Sequence, residues 1–352
     1  MTEWRILTVV GARPQFVKAA AVSRAIAARA ELSEILVHTG QHFDPGMSQI
    51  FFDELGLEAP RFKLGIHGGG HGEMTGRMLA ALERIIVEER PDLVLVPGDT
   101  TSTLAGALAA AKLHVPVAHI EAGIRSFNRR MPEEINRVLT DHISALLLCP
   151  TGTAVTNLAR EGIVVGVHNV GDVMYDAAIF AAAASRRSQI LDRLGIGERG
   201  YAVATVHRAE SIQDRETLGE ILAFLRQQAN DSRVIFPVHP RTRKQISEWN
   251  LDLGEILTCD PVGYLDMQRL VRSAIAVFTD SGGLQKEAYF HQVPCVTLRT
   301  ETEWVETVEA GWNRLWRGPD YAPRREIADF GDGHAAEKAV GEIVDWLGGG
   351  RS

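Results

Sequence analysis

Ten short apolar runs, separated by stretches of helical length, constrain this chain more than any other feature. They read "RILTVV", "EILVHT", "DLVLVP", "VPVAHI" and "ALLLCP", then "YAVATV", "RVIFPV", "EILTC", "AIAVFT" and "VPCVTL". Runs of this length bounded by Gly, Pro or Asp indicate parallel strands buried on both faces, with helices covering the sheet. The pattern is a doubly wound α/β architecture that occurs twice. A chain of 352 residues also exceeds what one hydrophobic core serves, so two domains of roughly 150 to 200 residues each are expected. The boundary falls near residue 170, giving an N-terminal domain of 1–170 and a C-terminal domain of 171–352. Alanine-rich helical sequence from Val173 to Leu194 joins them, and the amphipathic stretch "AAEKAVGEIVDWL" is able to pack on either half. The glycines of "GIHGGGHGEMTGR" predict a loop before a helix starting near Gly72.

Several function classes drop out. No apolar run approaches the roughly 20 residues of a spanning helix, and the start "MTEWRILTVVG" lacks the layout of a secretory signal, so a cytoplasmic protein with no membrane span is expected. Cys149, Cys259 and Cys295 lie far apart with no C-x-x-C spacing, which suggests neither a disulfide framework nor a metal site. A net charge of -8 argues against nucleic acid held on a broad basic surface, and leaves local pockets for any anionic ligand.

In open parallel sheets ligands gather at the carboxyl ends of the strands. That rule selects Arg13, Gln41, His42, Asp99, Glu121, His207, His239 and the run from Asp280 to Gly283. "VVGARPQFVK" follows a strand and opens a helix, placing Arg13 and Lys18 near a helix N-terminus, which favours anions; a tight turn with a solvated arginine is the plain alternative. In "FTDSGGLQKEA", Ser281, Gly282 and Gly283 let the first N–H groups of a helix approach a phosphate, with Glu287 one turn further in. The plain alternative there is a glycine turn capped by Asp280. Asp99 in "VPGDTTST" and Glu121 in "HIEAGIRS" are strand-end acids, which as isolated features would be a helix cap and an ion pair with Arg125. "GIGERG" matches a dinucleotide fingerprint in letters but follows a helix and precedes a strand, the reverse of the required context, so no dinucleotide cofactor is expected.

Taken in order, "GARPQFVK", "GDTTST", "HIEAGIRS", "PEEINR", "VHRAES" and "TDSGGLQKEA" run across nearly the whole chain. This series resembles the non-hydrolysing UDP-N-acetylglucosamine 2-epimerase family. The resemblance implies the two-domain GT-B arrangement of Rossmann-like domains, with the active site in the cleft between them. It implies UDP bound on the second domain, Ser281 to Gly283 at the diphosphate, Glu287 on the ribose, and Arg13 closing from the first domain. Lys18 and Arg208 join the substrate-binding set. Asp99, Glu121 and Glu133 would face the sugar, and His207 would lie beside the diphosphate. No metal and no cofactor are implied. A homodimer is, and so, for some members, is a second UDP-sugar acting as activator. Gln41 and His42 match the region for that activator while Asp44 departs from it.

The acids make chemical sense, because the hydrogen on carbon 2 is not next to a carbonyl and cannot leave as from an enolate precursor. In the family's route UDP departs from carbon 1 as the carbon 2 proton is lost, and readdition with protonation on the other face inverts carbon 2. Such a route needs proton-transfer groups on both faces and fixed positive charge for the diphosphate. Which of the three carboxylates takes the proton stays open. Within "IEAGIRSFNRRMPEEINR", Glu134 and Arg137 read as helix-surface or inter-helix charges. Arg129 and Arg130 depart from the commoner family pattern, as does "RTETEWVE", where an arginine and a proline usually follow the Thr-Glu. Both departures resemble the branch acting on UDP-2,3-diacetamido-2,3-dideoxyglucuronic acid, a surface-polysaccharide precursor, with Arg129 or Arg130 suited to a carboxylate at carbon 6. UDP-N-acetylglucosamine is the alternative substrate. A GT-B glycosyltransferase, a hydrolysing epimerase and a sugar-nucleotide sensor are the competing functions.

Overall fold

The computed structural model describes residues 3–41 and 54–349. All ten apolar runs form strands. The first unit, residues 1–177 with 328–352, carries a seven-stranded parallel sheet. Its strands are β1 (Trp4–Val10), β2 (Leu32–His38), β3 (Phe62–Lys63), β4 (Leu93–Pro97), β5 (Val117–Ile120), β6 (Leu146–Cys149) and β7 (Val167–Asn169), in the order β3-β2-β1-β4-β5-β6-β7. The second unit, residues 178–327, carries β8 (Tyr201–Thr205), β9 (Arg233–Pro237), β10 (Leu257–Cys259), β11 (Ala276–Thr279), β12 (Cys295–Thr297) and β13 (Asn313–Leu315), in the order β10-β9-β8-β11-β12-β13. In both sheets the order reverses beside the first strand, so the loops after β1 and β4, and after β8 and β11, flank a crevice at the strands' carboxyl ends.

The central strands are buried on both faces, which is why they read as continuous apolar runs. Leu93 to Pro97 of β4 and Leu146 to Cys149 of β6 are buried at every position. The helices His71–Glu89 and Thr101–Lys112 cover one face of the first sheet through Met78, Leu82, Ile85, Ile86, Ala105 and Ala109. Burying each large aliphatic side chain there contributes about 1.5–3 kcal/mol relative to exposure. In the second unit Leu218, Ile221, Leu222 and Leu225 of the helix Arg215–Ala229 pack on Val234, Phe236 and Phe278. The final helix, Ala335–Gly348, packs on the helix Arg13–Ala27 of the first unit. Asp176 holds its start by accepting from the amides of Ala335 (3.1 Å) and Ala336 (2.7 Å).

At one glycine the turn after β1 depends on the absence of a side chain. A Cβ on Gly11 would stand 2.1 Å from both Ser102 Oγ and Thr39 Oγ1, hydroxyls that bond each other at 2.8 Å. Gly11→Ala therefore breaks that bond or moves the turn, and a loss of about 1–3 kcal/mol is expected. Urea midpoints equal to those of the unsubstituted protein would contradict this. Among the described residues, no helix is long and apolar enough to cross a membrane.

Candidate active site

The first unit gathers its acids where β4 and β5 end. Glu121 follows β5 with φ at +71°, a conformation that glycine adopts freely and a glutamate adopts at a cost of about 1–3 kcal/mol. Its carboxylate forms an ion pair with Lys18 Nζ, both side chains being buried. A buried ammonium costs several kcal/mol unless paired, so Lys18 and Glu121 hold each other in place. Thus Lys18 reaches inward from the second turn of its helix, and Glu121 pairs with Lys18 rather than with Arg125. The amides just before that helix are also engaged, since those of Gly11 and Ala12 donate to Gln15 Oε1 at 2.8 and 3.1 Å.

Asp99 sits in the turn after β4. The cap of the next helix is Thr100, whose hydroxyl accepts from the Thr103 amide, and not Asp99. Asp99 instead accepts from Arg137, with Nε 3.1 Å from Oδ2, while Asn136 Nδ2 donates to the Asp99 carbonyl at 2.9 Å. Both partners lie on the helix Pro132–Ile143. Arg137 also donates to Glu134 Oε2 at 3.0 Å. Glu134 in turn accepts from the amides of Ser126 (2.9 Å) and Phe127 (3.0 Å), fixing the loop before the helix. Glu134 and Arg137 are each 2% exposed, so the surface half of the expectation for them is wrong. They form a buried bridge that aims Asp99. Glu133, one residue earlier, is half-buried in the first turn of the same helix.

Beneath these acids lies a second layer. His119, fully buried in β5, puts Nδ1 2.6 Å from Asp141 Oδ1 and Nε2 2.6 Å from the Gly98 carbonyl. Asp141 Oδ2 accepts from Arg125 (2.7 Å) and from the Gly123 amide (3.1 Å), and Arg125 forks onto Glu161 at 2.8 Å. Burial works against the Asp141 charge, but His119 and Arg125 outweigh it and hold the carboxyl below its usual range. This network fixes the backbone on either side of Glu121. Hence the charges of "IEAGIRSFNRRMPEEINR" divide: Glu121, Arg125, Glu134 and Arg137 are buried and paired, whereas Arg129 and Arg130 are exposed in the turn before the helix.

Gln41 Oε1 accepts from the Ser102 amide (3.0 Å) and hydroxyl (2.8 Å). His42 and the side chain of Arg13 lie outside the described residues.

In the second unit β11 ends at Thr279 and a nine-residue helix, Gly282–Phe290, begins after Ser281. Ser281 occupies the cap position without a side-chain bond to the helix. Asp280 does not cap it either. Fully buried, Asp280 accepts from the amides of His207 (2.8 Å) and Arg208 (2.9 Å), and its other oxygen lies 3.2 Å from His207 Nδ1. Burial opposes its charge, yet His207 and the two amides hold its carboxyl down at about 2. This orients His207, whose ring stays 43% exposed and lies 6.1 Å from that of His239.

A further carboxylate stands at the start of the helix Gly282–Phe290. Glu303 bridges Arg208 NH2 (3.3 Å) and Arg299 NH1 (2.9 Å), and a Cβ on Gly282 would meet its Oε1 at 2.4 Å. A side chain at position 282 would therefore have to displace that carboxylate. Trp304 lies under the buried ammonium of Lys286, 3.7 Å from its ring centre, a cation–π contact.

Glu287 is buried in the helix beside Gln268, Lys286 and Tyr264, and burial pushes its carboxyl up to about 7. Because the folded value is raised, stability is complete below the unfolded value near 4.5 and falls as pH rises through 7. Glu287→Gln should match the parent near pH 5 and exceed it by about 2–3 kcal/mol at pH 8. Urea midpoints with no pH-dependent difference would contradict this.

The residues that the strand-end rule selects, Asp99, Glu121, His207 and the Asp280 run, lie where β4, β5, β8 and β11 end; the rule does not reach Arg137, Glu134, Asp141, Arg299 and Glu303, which make the contacts around them. His119 carried a usable signal, being a histidine inside an apolar run, which burial obliges to find partners on both ring nitrogens.

Known proteins resemble this chain throughout its length. A family model described as UDP-N-acetylglucosamine 2-epimerase matches residues 24–323. The chain is 54% identical over 316 residues to a UDP-2,3-diacetamido-2,3-dideoxy-D-glucuronate 2-epimerase of Pseudomonas aeruginosa, with 88% of each chain covered. It is 42% identical over 322 residues to a UDP-N-acetylglucosamine 2-epimerase of Methanocaldococcus jannaschii, again over 88% of each. The crystal structure of the M. jannaschii UDP-GlcNAc 2-epimerase in complex with UDP-GlcNAc and UDP matches with a TM-score of 0.88 at 39% identity, covering 98% of this chain and 99% of that one. The two-domain GT-B fold class follows from this likeness.

Proposed function

Since the chain belongs to the UDP-N-acetylglucosamine 2-epimerase family, and is thereby an isomerase, we propose that it inverts carbon 2 of a UDP-sugar without hydrolysing it. The observation that carries the reading is Glu121, a left-handed strand-end glutamate locked to the buried Lys18. Such strain persists where a side chain must point at one spot.

In the proposed reaction the bond from carbon 1 to the diphosphate oxygen breaks, its electron pair leaving with UDP. A carboxylate among Asp99, Glu121 and Glu133 takes the carbon 2 proton, and the electrons of that C–H bond form the carbon 1–carbon 2 double bond. UDP then attacks carbon 1 while a second acid protonates carbon 2 from the opposite face. Asp99 and Glu121 sit at adjacent strand ends against different cations, Arg137 and Lys18, which gives each its own environment and supports a division of labour. We assign the departing diphosphate to the N-terminus of Gly282–Phe290 with Ser281, Gly282 and Gly283, to His207, Arg208 and Arg13, and the ribose to Glu287. Asp280 acts on this site by positioning His207. Glu287→Gln is expected to weaken UDP binding about tenfold.

For the substrate, 54% identity to the diacetamido-glucuronate enzyme favours UDP-2,3-diacetamido-2,3-dideoxyglucuronic acid. The exposed guanidinium groups of Arg129 and Arg130 suit its carboxylate. Assaying the purified protein with both nucleotide sugars tests this: a strong preference for the uronate is expected, and equal or better turnover of UDP-N-acetylglucosamine would remove the proposal. The product would serve surface-polysaccharide assembly from the cytoplasm, where the three free cysteines would stay reduced.

A homodimer is supported by Ile135 and Leu139, exposed one turn apart on the helix Pro132–Ile143, with Phe127 exposed on the loop before it. A monomer by sedimentation at assay concentration would rule that out. Activation by a second UDP-sugar is assigned to Gln41 and His42; rates that rise hyperbolically with substrate and ignore added product would remove it.

A further inference from the structure

The amino ends of the second sheet, opposite the proposed nucleotide site, hold a cavity of about 420 Å³. Its walls come from segments that precede β8, β11 and β12. Arg199 and Glu198 lie just before β8, Arg269 and Arg272 on the last turns of the helix Tyr264–Arg272, and His291 and Gln292 just before β12. A volume of this size falls in the range of small-molecule sites, roughly 300–1,000 Å³.

Three features set it apart from an ordinary arginine-rich surface. First, two of its residues are non-glycines in the left-handed region, Arg199 at φ +59° and Gln292 at φ +56°. Strained backbone of this kind concentrates at functional positions. Second, each arginine is braced by one contact: Arg199 NH1 to the Ala274 carbonyl at 3.3 Å, Arg269 NH2 to Glu198 at 2.6 Å, and Arg272 NH1 to the Ala182 carbonyl at 3.0 Å. A guanidinium carries five N–H donors, so bracing one end leaves donors for a ligand. Among the described residues Arg269 Nε is buried and has no hydrogen-bond partner, and an orphaned buried donor on a cation costs about 1–3 kcal/mol until something accepts from it. Third, the charge is one-sided. Three guanidinium groups face one carboxylate, and His291, its value lowered to about 4 by burial and by Arg272, is neutral at pH 7.

We propose that this cavity binds a phosphate-bearing small anion, at a site distinct from the nucleotide site. Phosphoryl oxygens match the fork of a guanidinium, and a multivalent anion is what a net charge of +2 among the wall residues would retain. The wall also touches the proposed nucleotide helix from behind. His291 follows the C-terminus of Gly282–Phe290, and its Nε2 lies 2.6 Å from Gln268 Oε1, on the residue that flanks Glu287.

The experiment is calorimetry with inorganic pyrophosphate titrated into protein already saturated with UDP, at low ionic strength. One binding event per chain is expected, weakened roughly tenfold or more in Arg199→Asn and Arg272→Gln. Asparagine tolerates the left-handed backbone at 199, and unchanged epimerisation by Arg199→Asn shows that this variant is folded. A second arm titrates UDP alone: two UDP per chain, of which Arg199→Asn loses one, would identify a nucleoside diphosphate as the source of the phosphoryl group and equally support the site. No pyrophosphate event together with a UDP count that Arg199→Asn leaves unchanged overturns the proposal. So does pyrophosphate binding that neither substitution weakens.

Discussion

Glu121→Gln is expected to lower turnover by about 10²- to 10⁴-fold, the usual contribution of a positioned general acid or base, while leaving UDP affinity within a few-fold. An amide keeps the shape and still accepts from Lys18, but it cannot take or return a proton. Asp99→Asn and Glu133→Gln are expected to behave alike, with one difference that the geometry supplies. Asp99 and Glu121 each neutralise a buried cation, so their carboxamides also cost stability, whereas half-buried Glu133 should lose turnover with its urea midpoint unchanged. Three carboxamide variants with normal turnover would remove the acid–base assignment.

The second large effect is on stability. Asp141→Ala should destabilise the protein by about 3–5 kcal/mol, because it removes the buried carboxylate that accepts from Arg125 and the Gly123 amide and lies against His119, leaving those buried groups unpaired on that side. That is a large share of a stability of about 5–15 kcal/mol. Glu161→Gln offers the control. Glu161 holds the same arginine from a position 26% exposed, and Arg125 keeps Asp141, so a loss of at most about 1 kcal/mol is expected. Equal urea midpoints for the two variants would show that the network beneath Glu121 is not what fixes the end of β5.

How much of this was legible beforehand follows from burial. The ten runs that became strands are those enclosed on both faces, where apolar character is continuous. The three strands without a recognised run, β3, β7 and β13, are two or three residues long and lie at sheet edges. There one side meets solvent and the pattern fades. The site divides in the same way. Asp99, Glu121 and His207 are legible as strand-end residues because each lies directly after an apolar run or one residue beyond it. Glu134 and Arg137 were misjudged because they sit in a charged helical stretch whose buried face is defined only once Asp99 lies under it. The plain alternative for Asp280, a helix cap, fails because the His207 and Arg208 amides from the neighbouring strand's loop take its carboxylate, a pairing between distant segments. Asp141 pairs with Arg125 16 residues away and Glu303 with Arg208 95 residues away, separations that no local pattern encodes.

The most direct test is a single incubation of the protein with its UDP-sugar in heavy water, followed by mass spectrometry and carbon-2 analysis of the nucleotide sugar. Proton loss at carbon 2 with departure and return of UDP predicts one deuterium at carbon 2 of the epimer, with UDP still attached and no accumulation of free sugar. An unlabelled epimer, or free UDP and sugar released in step with turnover, would contradict it.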